Sequence, residues 1–250
     1  MRMCWILIVN VMFIVGSEYD ISNYLCYKIY YSYKGGCMNV FDLKNKEAGR
    51  TCVVVGAGYT LKLYEKQIKK FINKDKVFTI GINNMSMFVK PDYHMWTNND
   101  RFKTFGKTIS SDSTLILGSK LKKNIIDTVG MPYYKIDYLD RFKHKMGIDN
   151  KIVKGKFRTC GNLAIFVAQK ILGAENVYCV GFDGYTLAFE DKKFKQHCYG
   201  DKFSDSTDYE YEKEKDDIVY KVFDELKSVG VNFKIITPTA FKRHYLEGVL

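Results

Sequence analysis

Short apolar runs alternate with amphipathic stretches from residue 51 to the end of the sequence. The run Thr51–Val55 is rich in β-branched residues, which is typical of a strand buried on both faces of a parallel sheet. The predicted strands are 51–55, 77–82, 93–97, 114–118, 133–137, 176–181 and 232–236, and the predicted helices are 61–71, 162–172 and 209–229. This order predicts an α/β fold, a single Rossmann-like domain with a mostly parallel sheet and helices on both faces.

The first 50 residues do not follow this alternation, so we divide the sequence into an N-terminal extension (1–50) and a domain (51–250). Residues 4–16 form an apolar run of signal-peptide length that is short of a membrane span. Three interpretations stay open: a signal or anchor, an extension packed on the domain, or an upstream start with Met38 as the natural initiator. The last two are favoured. A polar segment at about 186–208 is predicted to be a flexible lid.

Charge and cysteine content narrow the class of protein. The formal net charge of +11 comes mainly from lysines spread along all 250 residues, without an arginine-rich block. Phosphorylated or acidic partners are therefore expected rather than a specific nucleic acid.

The seven cysteines include no Cys-x-x-Cys pair, which predicts a reduced, cytoplasmic protein without a zinc site. Peripheral membrane contact through the N-terminus and homo-oligomerisation stay open. His144 and His244 have charged neighbours and are expected at the surface.

A glycine turn follows the first predicted strand. Gly56 and Gly58 let backbone N–H groups approach an anion without a Cβ in the way, and the next helix begins directly afterwards. Two interpretations stay open: a nucleotide or phosphate site, or glycines needed for packing only. The turn lacks the Gly-Lys-Ser/Thr of a P-loop. The next predicted strand ends in Asn83 and Asn84 rather than in an acid, which argues against NAD.

Polar residues gather where predicted strands end. They are Gly56 and Gly58, Asn83 and Asn84, Asn98 to Asp100, Asp183 and Tyr185, and Thr237. The carboxyl ends of parallel strands share one edge of a sheet, where ligands bind. Asparagine amides both donate and accept hydrogen bonds, so they suit a neutral pocket for a base or a sugar.

Several of these segments resemble bacterial sialyltransferases, which use a CMP-linked nonulosonic acid as donor. The similar segments are Gly56-Ala-Gly-Tyr-Thr-Leu61, the strand end at Asn83, Arg158-Thr-Cys-Gly161, Gly181-Phe-Asp-Gly-Tyr185 and Ile236-Thr-Pro-Thr-Ala-Phe241. Lys90-Pro-Asp-Tyr-His94 is similar to a segment of a broader related family, which holds flagellin nonulosonate transferases and hydroxymethylpterin diphosphokinases. The resemblance covers nearly everything from Thr51 onward.

The resemblance implies a role for individual residues. Tyr185 would donate its phenol hydrogen to the leaving phosphate, and Asp183 would anchor the ribose or shape the turn. The other implied donor-binding residues are Gly56, Ala57, Gly58, Asn83, Asn98, Thr159, Cys160 and Gly161. It also implies a transfer that needs no metal, with hydroxyl groups in place of a cation, and the sequence has no Asp-x-Asp motif.

The resemblance offers two candidates for the general base. The family's pattern is His-x-x-Gly-His, with the last histidine as base, and this chain reads His197-Cys-Tyr-Gly-Asp201. Asp201 occupies the position of the base, and His197 lies earlier in the motif. A carboxylate accepts a proton from a hydroxyl when burial raises its pKa, and a histidine titrates near neutrality already. Both residues are candidates, and a solvated lid without a catalytic role is the alternative.

The sequence therefore leaves three possible functions. The first is a metal-independent glycosyltransferase that moves a nonulosonic sugar from a CMP-linked donor to a glycan hydroxyl. The second is a Mg-dependent, ATP-using diphosphokinase of the hydroxymethylpterin type, with Asp100 and Asp183 as metal ligands. The third is a non-catalytic nucleotide-binding module.

Overall fold

The computed structural model describes residues 37–141, 144–198 and 207–250. Its strands are β1 Cys37–Asn39, β2 Thr51–Val55, β3 Val77–Ile82, β4 Tyr93–Trp96, β5 Thr114–Gly118, β6 Tyr133–Ile136, β7 Tyr138–Asp140, β8 Gly147–Asp149, β9 Ile152–Gly155, β10 Asn176–Val180 and β11 Phe233–Ile235. Its α-helices are α1 Thr60–Leu63, α2 Glu65–Ile72, α3 Asn99–Phe105, α4 Lys123–Ile126, α5 Cys160–Lys170, α6 Leu187–Glu190 and α7 Tyr209–Ser228. Among the described residues, no helix combines the length and the apolar character that a membrane span requires.

Eight strands form one parallel sheet in the order β1-β6-β5-β4-β3-β2-β10-β11. The predicted Rossmann-like α/β fold with a mostly parallel sheet is confirmed. From β2 the chain proceeds outward through β3, β4 and β5 to β6, and it later returns to β10 on the other side of β2. The strand order therefore reverses between β2 and β10. In open α/β sheets, this reversal leaves a crevice at the carboxyl ends of the two strands.

The central helix α5 packs against this part of the sheet. Every residue from Cys160 to Ala168 is buried, because the helix is apolar around its whole circumference rather than along one stripe. Thr159 caps its first turn, and Gly173 follows the helix with a φ of +82°. The sequence predicted this helix to within two residues at each end.

The sheet also includes residues before the predicted boundary at 51. β1 pairs in parallel with β6 and forms the edge of the sheet, so β6 is an internal strand. Val40 and Leu43, which follow β1, are buried in the core. A three-residue edge strand is too short to produce a periodic apolar pattern, which is why the sequence did not reveal it.

Three other segments differ from the sequence-based predictions. The polar stretch 140–156 contains most of a small sheet with the order β7-β9-β8, whose strands are three or four residues long. The predicted helix 61–71 is divided at Tyr64, where φ is −111° and ψ is 20°. Residues Lys242–His244 form a 3₁₀ turn, and His244 is buried against the ring of Phe233 rather than exposed at the surface as predicted.

Candidate functional site

A cleft of about 290 Å³ opens where the strand order reverses. It lies beyond the carboxyl ends of β2 and β10, and the first turn of α5 forms one wall. Ten of the residues predicted for the site line this cleft: Gly56, Ala57, Gly58, Asn83, Thr159, Cys160, Gly161, Asp183, Tyr185 and His197.

Three other candidates are placed differently. Asn98 does not line the cleft, because it is the N-cap of α3 and its Oδ1 accepts a hydrogen bond from the Arg101 N–H at 2.9 Å. Asp100 lies in the first turn of the same helix and also does not line the cleft. The predicted base Asp201 lies outside the described residues, so its role stays a prediction.

The glycine turn serves close packing. The N–H of Gly56 donates to the Val180 carbonyl at 2.8 Å, and that of Gly58 donates to the Gly181 carbonyl at 2.9 Å. A Cβ at Gly56 would overlap the Gly181 oxygen, and one at Gly58 would overlap the Asp183 carboxyl group. Both glycines are therefore required by the approach of β10 to β2, and these two N–H groups bond within the protein rather than cradling an anion.

Asp183 holds the beginning of α1. Its Oδ2 accepts the Thr60 N–H at 2.8 Å, and its Oδ1 accepts the Thr60 hydroxyl hydrogen. Burial raises the pKa of this carboxyl group to about 7, although the hydrogen bonds from Thr60 and Tyr59 lower it in part. The bonds to Thr60 fit the predicted role of Asp183 in shaping the turn.

The first turn of α5 is the part of the cleft wall best suited to an anion. Thr159 Oγ1 accepts the Asn162 N–H at 3.1 Å, and the Asn162 side chain donates to the Phe157 carbonyl at 2.7 Å. The N–H groups of Cys160 and Gly161 have no partner within the helix, as in every α-helical first turn. Because α5 is 11 residues long, its dipole places partial positive charge on this wall.

Asn83 also lines the cleft. Its φ is +54°, and its carbonyl oxygen is bonded to Nε2 of the buried His94. Burial lowers the pKa of His94 to about 4, so the ring is neutral at physiological pH. Among the described residues, the buried Oδ1 of Asn83 has no hydrogen-bond partner. Asn83 lines the cleft, and a hydrogen bond from a ligand would satisfy this oxygen.

Tyr185 is held at the cleft by helix α7. The Tyr185 N–H donates to Oδ1 and Oδ2 of Asp216 at 2.9 and 3.0 Å, and the Thr186 N–H and hydroxyl bond to the same carboxyl group. Burial raises the pKa of Asp216. Lys215 precedes Asp216 in α7, and its Nζ lies 5.0 Å from the centre of the Tyr185 ring.

His197 also reaches the cleft and is half-buried there. The backbone N–H of the next residue, Cys198, donates a hydrogen bond to the Ala57 carbonyl at 2.9 Å. This bond ties the chain at residue 198 to the glycine turn. It therefore brings the histidine of the His197-Cys-Tyr-Gly-Asp201 motif to the same cleft as Tyr185.

Several residues of the cleft were not predicted for the site, although some of them lie inside the segments that carry the resemblance. They are Ile82, Arg101, Asn162, Gly181, Phe182, Gly184, Gln196, Lys215, Val219 and Phe241. One signal was available in α7. Glu212 and Asp216 occupy the stripe that continues as Val219, Phe223 and Leu226, and all five are buried. Acidic residues on the buried face of an amphipathic helix indicate a polar site beneath it.

Comparisons with known proteins give a weak structural similarity only. No family model matches the chain, and no curated protein matches it. A solved structure of a mammalian sialyltransferase has 15% identity and a TM-score of 0.40, and the match covers 80% of this chain and 76% of that one. A mammalian sialyltransferase in complex with Gal-beta-1-3GalNAc-ortho-nitrophenol has 15% identity, a TM-score of 0.39, and coverage of 94% and 84%.

Proposed function

We propose that the chain is a glycosyltransferase that moves a nonulosonic, sialic-acid-like sugar from a CMP-linked donor to a glycan hydroxyl. The observation that supports the proposal is a cleft at the reversal of strand order. This cleft joins the first turn of α5, the Asn83 amide and Tyr185. An anion-attracting helix end, an amide and a phenol fit the phosphate, base and sugar of a nucleotide sugar. The sequence motifs that resemble bacterial sialyltransferases supply the same residues.

The proposed reaction is a displacement at the anomeric carbon of the donor sugar. The acceptor hydroxyl oxygen forms the new bond, and the bond from the anomeric carbon to the phosphate oxygen breaks with its electron pair on that oxygen. CMP is thus the leaving group. Tyr185 donates its phenol hydrogen to the departing phosphate, and the α5 first turn stabilises the same charge. This contribution acts where charge develops in the transition state.

The proton of the acceptor hydroxyl needs a base. His197 lines the cleft, and histidine is the most frequent general base in proteins. Asp201 is the second candidate and stays a prediction from the motif. We propose that the reaction is metal-independent, and the support for this is that Tyr185 and the first turn of α5 line the same cleft and would supply the hydrogen-bond donors. A glycan acceptor is part of the same proposal.

The geometry favours this function over the Mg-dependent diphosphokinase. That alternative uses Asp100 and Asp183 as metal ligands. Asp100 does not line the cleft, and both oxygens of Asp183 accept hydrogen bonds from Thr60. A joint magnesium site for these two carboxylates would require both to be rearranged.

A donor panel tests the proposal. We expect CMP-sialic acid to raise the melting temperature and to release CMP in the presence of EDTA. We expect Tyr185→Phe to lower the turnover number about 100-fold while donor affinity changes less than about threefold, because the phenol acts mainly in the transition state. Tyr178→Phe is the matched control, since Tyr178 lies in β10 and its ring contacts Phe71 outside the cleft.

Each other outcome identifies a different function. Stabilisation by ATP and magnesium, without an effect of CMP-sugars, would support the diphosphokinase. Binding of CMP-sugars with no release of CMP would indicate a non-catalytic module. A chain that responds to none of these ligands would contradict both enzyme hypotheses.

A further inference from the structure

Helix α7 carries three charged residues within five positions, and one of them, Lys215, lines the cleft. Glu212 has a fully buried side chain, Asp216 is 4% exposed, and the Lys215 side chain is 17% exposed. Asp216 is already engaged by the N–H groups of Tyr185 and Thr186. Lys215 takes no part in these hydrogen bonds, so they do not account for its position in the cleft wall.

The contacts of Lys215 fix where its ammonium group lies. Nζ is 2.9 Å from Oε1 of Glu212, 4.2 Å from the centre of the Tyr211 ring and 5.0 Å from the centre of the Tyr185 ring. The two rings flank the cation on faces that attract positive charge. An ammonium group has three N–H donors, and Glu212 accepts from it through one oxygen. The cation is thus held beside the phenol ring that is proposed to act on the leaving group.

We propose that Lys215 is a phosphate-binding residue of the cleft, which stabilises the departing phosphate of the nucleotide donor together with Tyr185. This inference rests on the proposed function and assigns it a further residue. As the bond from the anomeric carbon to the phosphate oxygen breaks, the electron pair stays on that oxygen and the phosphate gains negative charge. The Lys215 ammonium group keeps its proton and interacts with this charge, while Tyr185 supplies the hydrogen bond.

A purely structural role for Lys215 accounts for less of this arrangement. Glu212 and Lys215 are three residues apart on one helix, and such pairs contribute little to stability when they are exposed. Burying the pair removes two charges from water, and the attraction between them often does no more than offset that loss. A bound phosphate supplies a second anion for the same cation. The desolvation of Lys215 then strengthens an interaction that the reaction uses.

Binding of CMP and of cytidine distinguishes the two roles without relying on turnover. The two ligands share the base and the ribose, and only CMP carries the phosphate. We expect Lys215→Met to weaken CMP binding about tenfold or more in a calorimetric titration, the loss that one charge-assisted hydrogen bond predicts. Cytidine binding is expected to change less than about twofold. Lys213→Met is the control, because Lys213 is on the same helix and is exposed.

The Met variant leaves Glu212 buried without its cation, which threatens folding. The double variant Glu212→Gln with Lys215→Met removes both charges and is expected to show the same selective loss of CMP affinity. Equal losses for CMP and cytidine in both variants would overturn the proposal and leave Lys215 with a structural role. A wild-type chain that binds neither ligand would instead contradict the nucleotide donor itself, and the proposal would fall with it.

Discussion

At the scale of single residues, Asp183 has the most unusual environment in the cleft. Its carboxyl group is almost fully buried, and its two oxygens bind the backbone and the hydroxyl group of Thr60. Gly58 lies so close that a Cβ would overlap this carboxyl group. The geometry of the turn therefore depends on a side chain that water does not solvate, and burial raises its pKa to about 7.

This raised pKa makes the stability of the protein depend on pH. In the unfolded chain Asp183 loses its proton near pH 4, whereas the folded protein retains the proton until about pH 7. The contribution of Asp183 to the free energy of unfolding is therefore fully present below about pH 4 and is lost as the pH rises to about 7. Asp183→Asn imitates the protonated carboxyl group at every pH. We expect the free energy of unfolding of the wild type to fall, relative to this variant, by on the order of 4 kcal/mol between pH 4 and 8.

Urea unfolding of both proteins at several pH values measures the difference. Asp217→Asn is the control, because Asp217 is exposed on α7, and its difference from wild type is expected to stay nearly constant. A constant difference for Asp183→Asn as well would show that the carboxyl group has the same pKa in the folded and the unfolded protein, which would contradict the prediction.

At the scale of secondary-structure elements, α7 is joined to the turn after β10 by one carboxyl group. Asp216 accepts hydrogen bonds from two N–H groups and one hydroxyl group of Tyr185 and Thr186, which lie 31 and 30 residues away in the sequence. Gly184 in the same turn has a φ of +82°, and a Cβ there would lie 2.8 Å from Cβ of Ala240. The helix therefore determines where Tyr185 faces the cleft.

Removing this carboxyl group is expected to affect both stability and the site. Asp216→Ala leaves two buried donors and one half-buried donor without their acceptor, so we expect a loss of about 3 kcal/mol in the free energy of unfolding. We also expect the turnover number to fall about as much as in Tyr185→Phe, because the phenol is no longer held at the cleft. Asp217→Ala, on the exposed side of the same helix, is the control for both measurements. Full turnover in a folded Asp216→Ala protein would show that α7 does not position Tyr185.

The elements also show what the sequence could reveal. The strands β2, β3 and β5 match their predicted bounds, because short apolar runs rich in β-branched residues and bounded by turn residues are typical of buried strands. The glycine turn could not be interpreted in the same way. The sequence permits either an anion cradle or close packing at Gly56 and Gly58, and only the neighbouring strand β10 decides between them.

At the scale of the whole molecule, the order of the strands decides which polar residues meet. Val55 at the end of β2 pairs with Val180 at the end of β10, although the two residues are far apart in the sequence. The sequence predicted polar strand ends but not this order. It therefore grouped Asn98 with Asn83, whereas the structure uses Asn98 to cap α3. The pattern of α7 also did not indicate that Lys215 faces the same cleft.

Sequence patterns also did not reveal that the folded unit includes residues before 51. β1 pairs with β6 at the edge of the sheet. The Asn45 N–H donates to the Ile171 carbonyl at 2.8 Å, just after α5. The Glu47 N–H donates to the next carbonyl, that of Leu172, at 2.9 Å. Residues 37–50 therefore contribute to the same core as the sheet. Their contribution to stability is expected to be large, because fully buried leucine side chains leave a cavity when they are truncated.

Leu43→Ala and Leu63→Ala make the same chemical change at a buried and an exposed position, since Leu43 is 1% exposed and Leu63 is 44% exposed. We expect Leu43→Ala to lower the free energy of unfolding by about 2–5 kcal/mol, which combines lost burial with a cavity. Leu63→Ala is expected to cost less than about 1 kcal/mol, because its side chain is already partly in water. Urea unfolding of the two variants measures both values. Equal small losses would mean that the segment before residue 51 is not part of the cooperative core, and the domain would then begin at β2.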